Sequence, residues 1–187
     1  RLLNTPPAPR GCHALILAPT RELATQIVDS IRTYGRFLRH TATVVVGGAR
    51  PGPQIRAMTH GVDILVATPG RLLDHVTTGA IRLDRTSMVV LDEADQMLDL
   101  GFMPDIRRLM SKVPATRQTL MLTATMPKPI RALADDFLTD PADVQVAPAA
   151  RPIERIDQRV VHVDSANKRA VLVEILAEPL VERAIVF

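Results

Sequence analysis

Tryptophan is absent from the 187 residues, and one tyrosine and four phenylalanines are the only aromatic side chains. Nearly half of the chain is apolar all the same, so one ordinary domain with part of another can bury a core, built from Val, Leu, Ile, Ala and Met. Cys12 is the single cysteine, which excludes an internal disulfide and any cysteine-based metal cluster. The cytoplasm is therefore the expected compartment. No apolar run approaches the roughly 20 residues that span a bilayer, and no signal-peptide pattern opens the chain, so no membrane partner is expected. His13, His40, His60, His75 and His162 lack metal-ligand spacing and are assigned to no site. An excess of one sign of charge is also lacking, the net being +3. The basic residues are almost all arginine, whose planar fork suits phosphate contacts, although a coding bias towards arginine and alanine would give the same ratio. The chain opens on Arg1, not methionine, which suggests a fragment or a processed product.

What is present is a regular alternation. Short β-branched apolar runs cover His13 to Ala18, Ala42 to Val46, Asp63 to Ala67, Ser87 to Leu91, Gln118 to Thr123 and Asp143 to Val146. Helical spacing separates them over Arg21 to Leu38, Gly70 to Thr78, Pro104 to Met110 and Pro127 to Leu138. Strands that are apolar on both faces, alternating with helices, predict an α/β fold with a parallel sheet covered on both sides. The first domain is expected over 1–146. A proline-rich stretch at 147–156 reads as a linker, and 157–187 as the beginning of a second domain, with a strand, a helix and the start of another strand.

Ser87-Met88-Val89-Val90-Leu91-Asp92-Glu93-Ala94-Asp95 is the most informative segment. It delivers three carboxylates at the carboxyl end of a predicted strand, where open α/β sheets bind their ligands. Hydrolysis of a nucleoside triphosphate needs one carboxylate for the shell of Mg²⁺ and one group to orient the attacking water. Asp92 suits the first role and Glu93 the second. Acidic residues in that position also cap a following helix.

Company in order decides between these readings. Pro19-Thr20-Arg21-Glu22-Leu23-Ala24, then Gly47-Gly48, then Thr68-Pro69-Gly70-Arg71 precede the acidic box, and Thr123-Ala124-Thr125 follows it. With Gln96 to Phe102 these segments resemble, in order and spacing, the conserved motifs of the DEAD-box RNA helicases. The resemblance covers essentially the whole chain, because Ala184-Ile185-Val186-Phe187 also looks like the first strand motif of that family's second domain. It implies a RecA-like domain followed by a linker and part of its twin.

Activity, ligands and sites follow as implications of that resemblance. The parent would be an ATP-dependent RNA helicase, using ATP and Mg²⁺ to grip RNA and open short duplexes. Asp92, Glu93 and Asp95 would be catalytic, with Asp92 holding Mg²⁺ through water. Thr123 and Thr125 would couple the acidic box to RNA grip; the family more often carries Ser at the first of these, and Thr123 keeps the hydroxyl. Pro19, Thr20, Arg21, Gly47, Gly48, Thr68, Pro69, Gly70 and Arg71 would form the RNA path, meeting phosphate and sugar so that binding is largely independent of base sequence. Taken singly, Arg21 could simply pair with Glu22, two glycines could be a turn, and Thr68 and Pro69 could cap a helix, which leaves Arg71 unexplained. No Gly-Lys-Thr phosphate loop occurs in the chain, and the arginine-rich motif of the family's second domain would lie beyond Phe187. An arginine finger is worth about 10³ to 10⁵ in rate, so this chain alone is expected to hydrolyse ATP negligibly and to expose a sheet edge. The alternative is a non-catalytic RNA-binding or interaction module. A DNA-directed relative fits the full Asp-Glu-Ala-Asp box less well.

Overall fold

The computed structural model describes residues 7–145, 159–179 and 181–186. The chain divides into two compact units, Arg1–Pro141 and Ala142–Phe187. In the first, five parallel strands, β1 (Cys12–Leu17), β2 (Ala42–Val45), β3 (Val62–Ala67), β4 (Met88–Leu91) and β5 (Gln118–Met121), lie in the order β2-β3-β1-β4-β5. Helices α1 (Arg21–Tyr34), α2 (Pro51–Ala57), α3 (Pro69–Thr77), α4 (Ala94–Asp99), α5 (Met103–Met110) and α6 (Lys128–Phe137) connect and follow them. Parallel neighbours need such crossovers, and five of the six anticipated runs form the parallel sheet.

Alternation along the strands builds two cores. Leu15, Leu17, Leu65 and Ala67 point into the larger one, with Leu72, Met97, Ile106 and Leu109 from α3, α4 and α5. Ile16, Val66, Ile64 and Val44 turn to the opposite face and meet Ala24 and Val28 of α1. Each strand residue thus serves one face only, as a period of two requires. The β2 edge is pinned by Asp63, whose carboxylate accepts from Thr41 N and Oγ1 at 2.7 and 2.8 Å. Cys12, on the central strand, is buried beside Thr86, and burial pushes its thiol up to about 12.

The boundaries are informative where they differ from the sequence pattern. Helix α1 stops at Tyr34, not Leu38, because Gly35 caps it through a bond to the Ile31 carbonyl. Helix α2 lies in a stretch to which the sequence pattern assigned no element; its Pro51 and Pro53 fall in the first turn, where the missing N–H costs nothing. Helix α4 ends in a Schellman turn: Gly101, at φ +79°, donates to Leu98 O and Phe102 N donates to Met97 O, which sets Phe102 against the core. Residues 143–145 form no strand although the pattern suggested one, and Val146 lies outside the described residues, as does the proline-rich stretch 147–156.

The second unit contains α7 (Lys168–Leu176) and an ion pair between Arg159 and Glu178 at 3.4 Å. Its described residues contain no strand, so the strands expected near its start and at 184–187 do not form there; Phe187 itself is not described. Such segments need a neighbouring strand to satisfy their backbone, and none is present among the described residues of this unit.

Candidate functional site

Because all five strands run the same way, their carboxyl ends meet along one edge of the sheet. Backbone bonds continue past the strands and hold the exits together: Ala18 N to Ala67 O at 3.0 Å, Thr68 N to Val45 O at 3.1 Å, Asp92 N to Leu17 O at 2.9 Å and Leu122 N to Leu91 O at 2.9 Å. Every candidate segment therefore leaves from this edge. The strand order sorts them into two groups, with the phosphate-type segments after β2, β3 and β1, and the carboxylates and threonines after β4 and β5.

On the first side, Thr20 caps α1, its Oγ1 accepting from Leu23 N at 3.2 Å. Arg21 follows in the first turn with its side chain well exposed; Glu22 approaches only to 3.9 Å, a contact worth little in water. Its guanidinium lies over Gly48. Gly48 has φ +73°, which favours glycine; a Cβ there would come within 2.3 Å of Arg21 Nη1 and push the guanidinium aside. Gly47 has open space around it and is not demanded sterically from within.

Thr68 does not cap α3 with its side chain. Its Oγ1 instead accepts from Gly47 N at 3.4 Å. Arg71 Nη1 donates to Ala49 O at 2.8 Å, with Asp74 3.7 Å from its Nε. Only 18% of the Arg71 side chain is exposed, against 58% for Arg21, so Arg21 is the cation offered outward and Arg71 chiefly braces the loop. Gly70 would accept a Cβ at ordinary contact distances from Asp105 and Phe102. Pro19, Thr68 and Pro69 are buried and shape the exits from within. Arg21, Gln26, Gly47 and Gly48 line an open groove of about 540 Å³, whose wall along α1 also carries the carboxylates of Glu22 and Asp29.

Gln54 is the residue that sequence reasoning missed. It is buried on α2, donating from Nε2 to Val46 O at 3.0 Å, and so ties down the residue that precedes Gly47. Its Oε1 has no partner among the described residues. The available signal was a polar side chain on the buried face of a helix, which was unreadable while α2 went unrecognised.

On the second side, Glu93 stands at φ 50°, ψ 54°, a left-handed backbone that costs a residue with a Cβ about 1–3 kcal/mol. This kink turns the chain from β4 into α4 and leaves Glu93 exposed. Neither the Asp92 nor the Glu93 carboxylate has a hydrogen-bond partner among the described residues. Asp95 differs: it accepts from Thr125 N at 2.9 Å and Thr125 Oγ1 at 2.8 Å, and from Gln96 N at 3.1 Å. Burial raises its carboxyl, but these bonds and a contribution from the Thr123 hydroxyl outweigh it, and the net shift is downward. Thr123 Oγ1 itself donates to Thr125 O at 2.7 Å. The direct bond to the acidic box is therefore made by Thr125, and Thr123 supports Thr125.

Among the described residues no three His, Cys, Asp or Glu side chains converge on a metal-sized space. A lone carboxylate of hard oxygens suits Mg²⁺, which keeps most of its waters and takes one or two protein carboxylates beside substrate phosphates. Among the described residues no helix is long and apolar enough to cross a membrane.

Residues 2–133 match the model of the DEAD/DEAH box helicase family. The chain is 50% identical over 146 residues to DEAD-box ATP-dependent RNA helicase 40 of Oryza sativa subsp. japonica, covering 78% of this chain and 18% of the relative. It is 40% identical over 181 residues to DEAD-box ATP-dependent RNA helicase CshA of Bacillus subtilis, covering 97% of this chain and 37% of the relative. It therefore spans well under half of the curated relatives it matches. The solved structure of a DEAD box protein from Methanococcus jannaschii superposes with a TM-score of 0.69 at 33% identity, over 90% of this chain and 45% of that one.

Proposed function

The chain belongs to the DEAD/DEAH box helicase family, and on that premise we propose that it is the nucleic-acid-gripping and acidic-box part of an ATP-dependent RNA helicase. The observation that carries this reading is the sorting of the site across the sheet edge. An exposed cation, a glycine loop and a helix start lie on one side, while two unpartnered carboxylates and a threonine-tethered one lie on the other.

Arg21 would meet a backbone phosphate, with the N–H groups of the first turn of α1 beside it. Gly48 leaves room for the strand to approach, and Thr68, Arg71 and Gln54 keep the loop in place. Phosphate and sugar contacts would make the grip largely independent of base sequence, and 2′-hydroxyl contacts would favour RNA. Asp92 would hold Mg²⁺, which when bound offsets the charge of the triphosphate. Glu93, whose carboxylate is exposed and unbonded, would accept a hydrogen bond from the water that attacks, and so orient it. Asp95 would carry the nucleotide state to β5 through Thr125, because any shift of α4 must strain or break two short bonds.

The test is Glu93→Gln in the full protein. Removing the carboxylate while keeping shape should depress RNA-stimulated ATP turnover by about 10²-fold or more and leave RNA affinity intact. Undiminished turnover refutes the role of Glu93. No RNA-stimulated turnover in the unaltered full protein, with RNA still bound, favours a non-catalytic RNA-binding module.

A further inference from the structure

Between Asp29 and Asp63 the sequence contains no carboxylate, yet it carries Arg32, Arg36, Arg39, Arg50 and Arg56. In the fold this span is continuous: it forms the last turn of α1, the edge strand β2 and helix α2. Arg32 is spent on Asp29 at 3.5 Å and on Ala42 O. Arg36, Arg39, Arg50 and Arg56 are exposed, and none forms an ion pair among the described residues.

The same edge holds the solvent-facing aromatics among the described residues. Phe102 and Phe137 pack on the core, whereas Tyr34 and Phe37 are 86% and 84% exposed, and Leu38 beside them is 57% exposed. The Arg36 guanidinium lies 4.7 Å from the centre of the Phe37 ring. In a chain this poor in aromatics, two exposed rings, one of them under the Arg36 guanidinium, set among arginines without ion pairs suit a ligand that is planar, stackable and anionic. Aromatic faces flanked by cations are how single strands are held without base preference.

We propose that Tyr34, Arg36, Phe37 and Arg39 form a second contact for single-stranded RNA, outside the groove at Arg21 and Gly48. The proposal rests on the preceding reading of that groove. The two places are linked by β2: the Gly47–Gly48 loop leaves its carboxyl end, and the aromatic turn precedes its amino end. Helix α1 spans the same distance, about 21 Å for its length. A strand in the groove passes Glu22 and Asp29, the second of them paired with Arg32; beyond them it meets no carboxylate from residues 30–62 and reaches two rings on which unpaired bases can stack. An acidic protein partner would also suit the arginines, but the continuity with the groove favours the strand that is already held there.

The experiment uses the full chain with end-labelled oligouridines of about 6 and about 20 nucleotides, read by fluorescence anisotropy. Tyr34→Ala with Phe37→Ala should weaken the longer RNA about tenfold and leave the shorter unchanged. Arg36→Ala with Arg39→Ala should reduce the salt slope for the longer RNA by about 1 to 2. Equal effects, or none, at both lengths overturn the proposal. Arg21→Ala separates the two ideas: it should weaken both lengths. If the unaltered chain binds neither RNA, the groove reading fails; if Arg21→Ala acts and the aromatic pair does not, only the second contact fails. Crosslinking of 4-thiouridine RNA to the unaltered protein gives an answer independent of any variant's folding. Crosslinks at Tyr34 or Phe37 support the contact, and crosslinks confined to the groove overturn it.

Discussion

The β1, β2, β3 side of the sheet and the β4, β5 side end in loops held by different means. Around Gly47 and Gly48 three side chains, Gln54, Thr68 and Arg71, fasten the backbone, and the exposed cation Arg21 lies across it. Around the acidic box the side-chain fastening between segments is a pair of bonds from Thr125 to Asp95, and the Asp92 and Glu93 carboxylates are left unbound among the described residues. Burial follows the sheet order instead: β1, β3 and β4 carry most of the fully buried strand residues, while β2 and β5 are the edges, with Leu120 40% exposed on β5 and Leu122, just beyond it, 51%. A surface that grips an invariant backbone gains from rigidity, since preorganised donors lose less on binding. A site that reports which nucleotide is present gains from a few bonds that can be exchanged.

This contrast can be tested at its strongest point first. Asp92→Asn in the full protein should reduce ATP turnover by on the order of 10²- to 10³-fold, with RNA affinity unchanged in anisotropy; a parallel loss of RNA binding would mean the two sides are not separable. Next, Gly48→Ala forces a Cβ at φ +73° and displaces the Arg21 guanidinium from its place over the loop. It should cost about 1–2 kcal/mol in thermal unfolding and weaken RNA roughly tenfold, while RNA-independent hydrolysis stays the same. Gln54→Ala strips the Val46 carbonyl of a buried donor and should cost about 1–2 kcal/mol, with a few-fold loss of RNA affinity. Restoration by Gln54→Asn is not expected, because the shorter amide falls short of Val46.

Thr125→Val should have the smallest effect on stability, about 1 kcal/mol at neutral pH, and should reduce RNA stimulation of hydrolysis more than basal hydrolysis. Its pH dependence identifies the bond. The Asp95 carboxyl lies below its ordinary value in the folded protein, so its contribution is complete above the ordinary carboxylate range and fades as pH falls through the lower folded value. The difference between Thr125→Val and the unaltered protein in acid unfolding should shrink in that window. A difference that persists below it would assign the effect to packing.

Much of this arrangement was legible in the sequence. Five apolar runs located the strands to within a residue or two, and Asp92, Arg21, Gly48 and Thr125 each stand at a strand exit as the motifs implied. What stayed hidden depended on contacts between distant segments. Gln54 has meaning only once α2 lies under Val46. The division of labour between Arg21 and Arg71 is a matter of exposure, which two arginines in similar motifs do not reveal. The Thr123 hydroxyl turns to the Thr125 carbonyl for reasons of local geometry that hydroxyl chemistry alone does not fix. The stretch 143–145 carries strand-like residues but no neighbour to pair with, and strand formation is decided by the neighbour.

Cys12 turns the absence of other cysteines into an internal clock. Its sulfur sits on the central strand, wholly covered, with the thiol pushed up to about 12, so an alkylating reagent reaches a reactive thiolate only when the sheet itself comes apart. The labelling rate of the unmodified chain, followed by mass alone, therefore counts openings of the middle of the sheet. A nucleotide or an RNA that binds the folded state should slow that count in proportion to its occupancy, without any dye, tag or engineered residue.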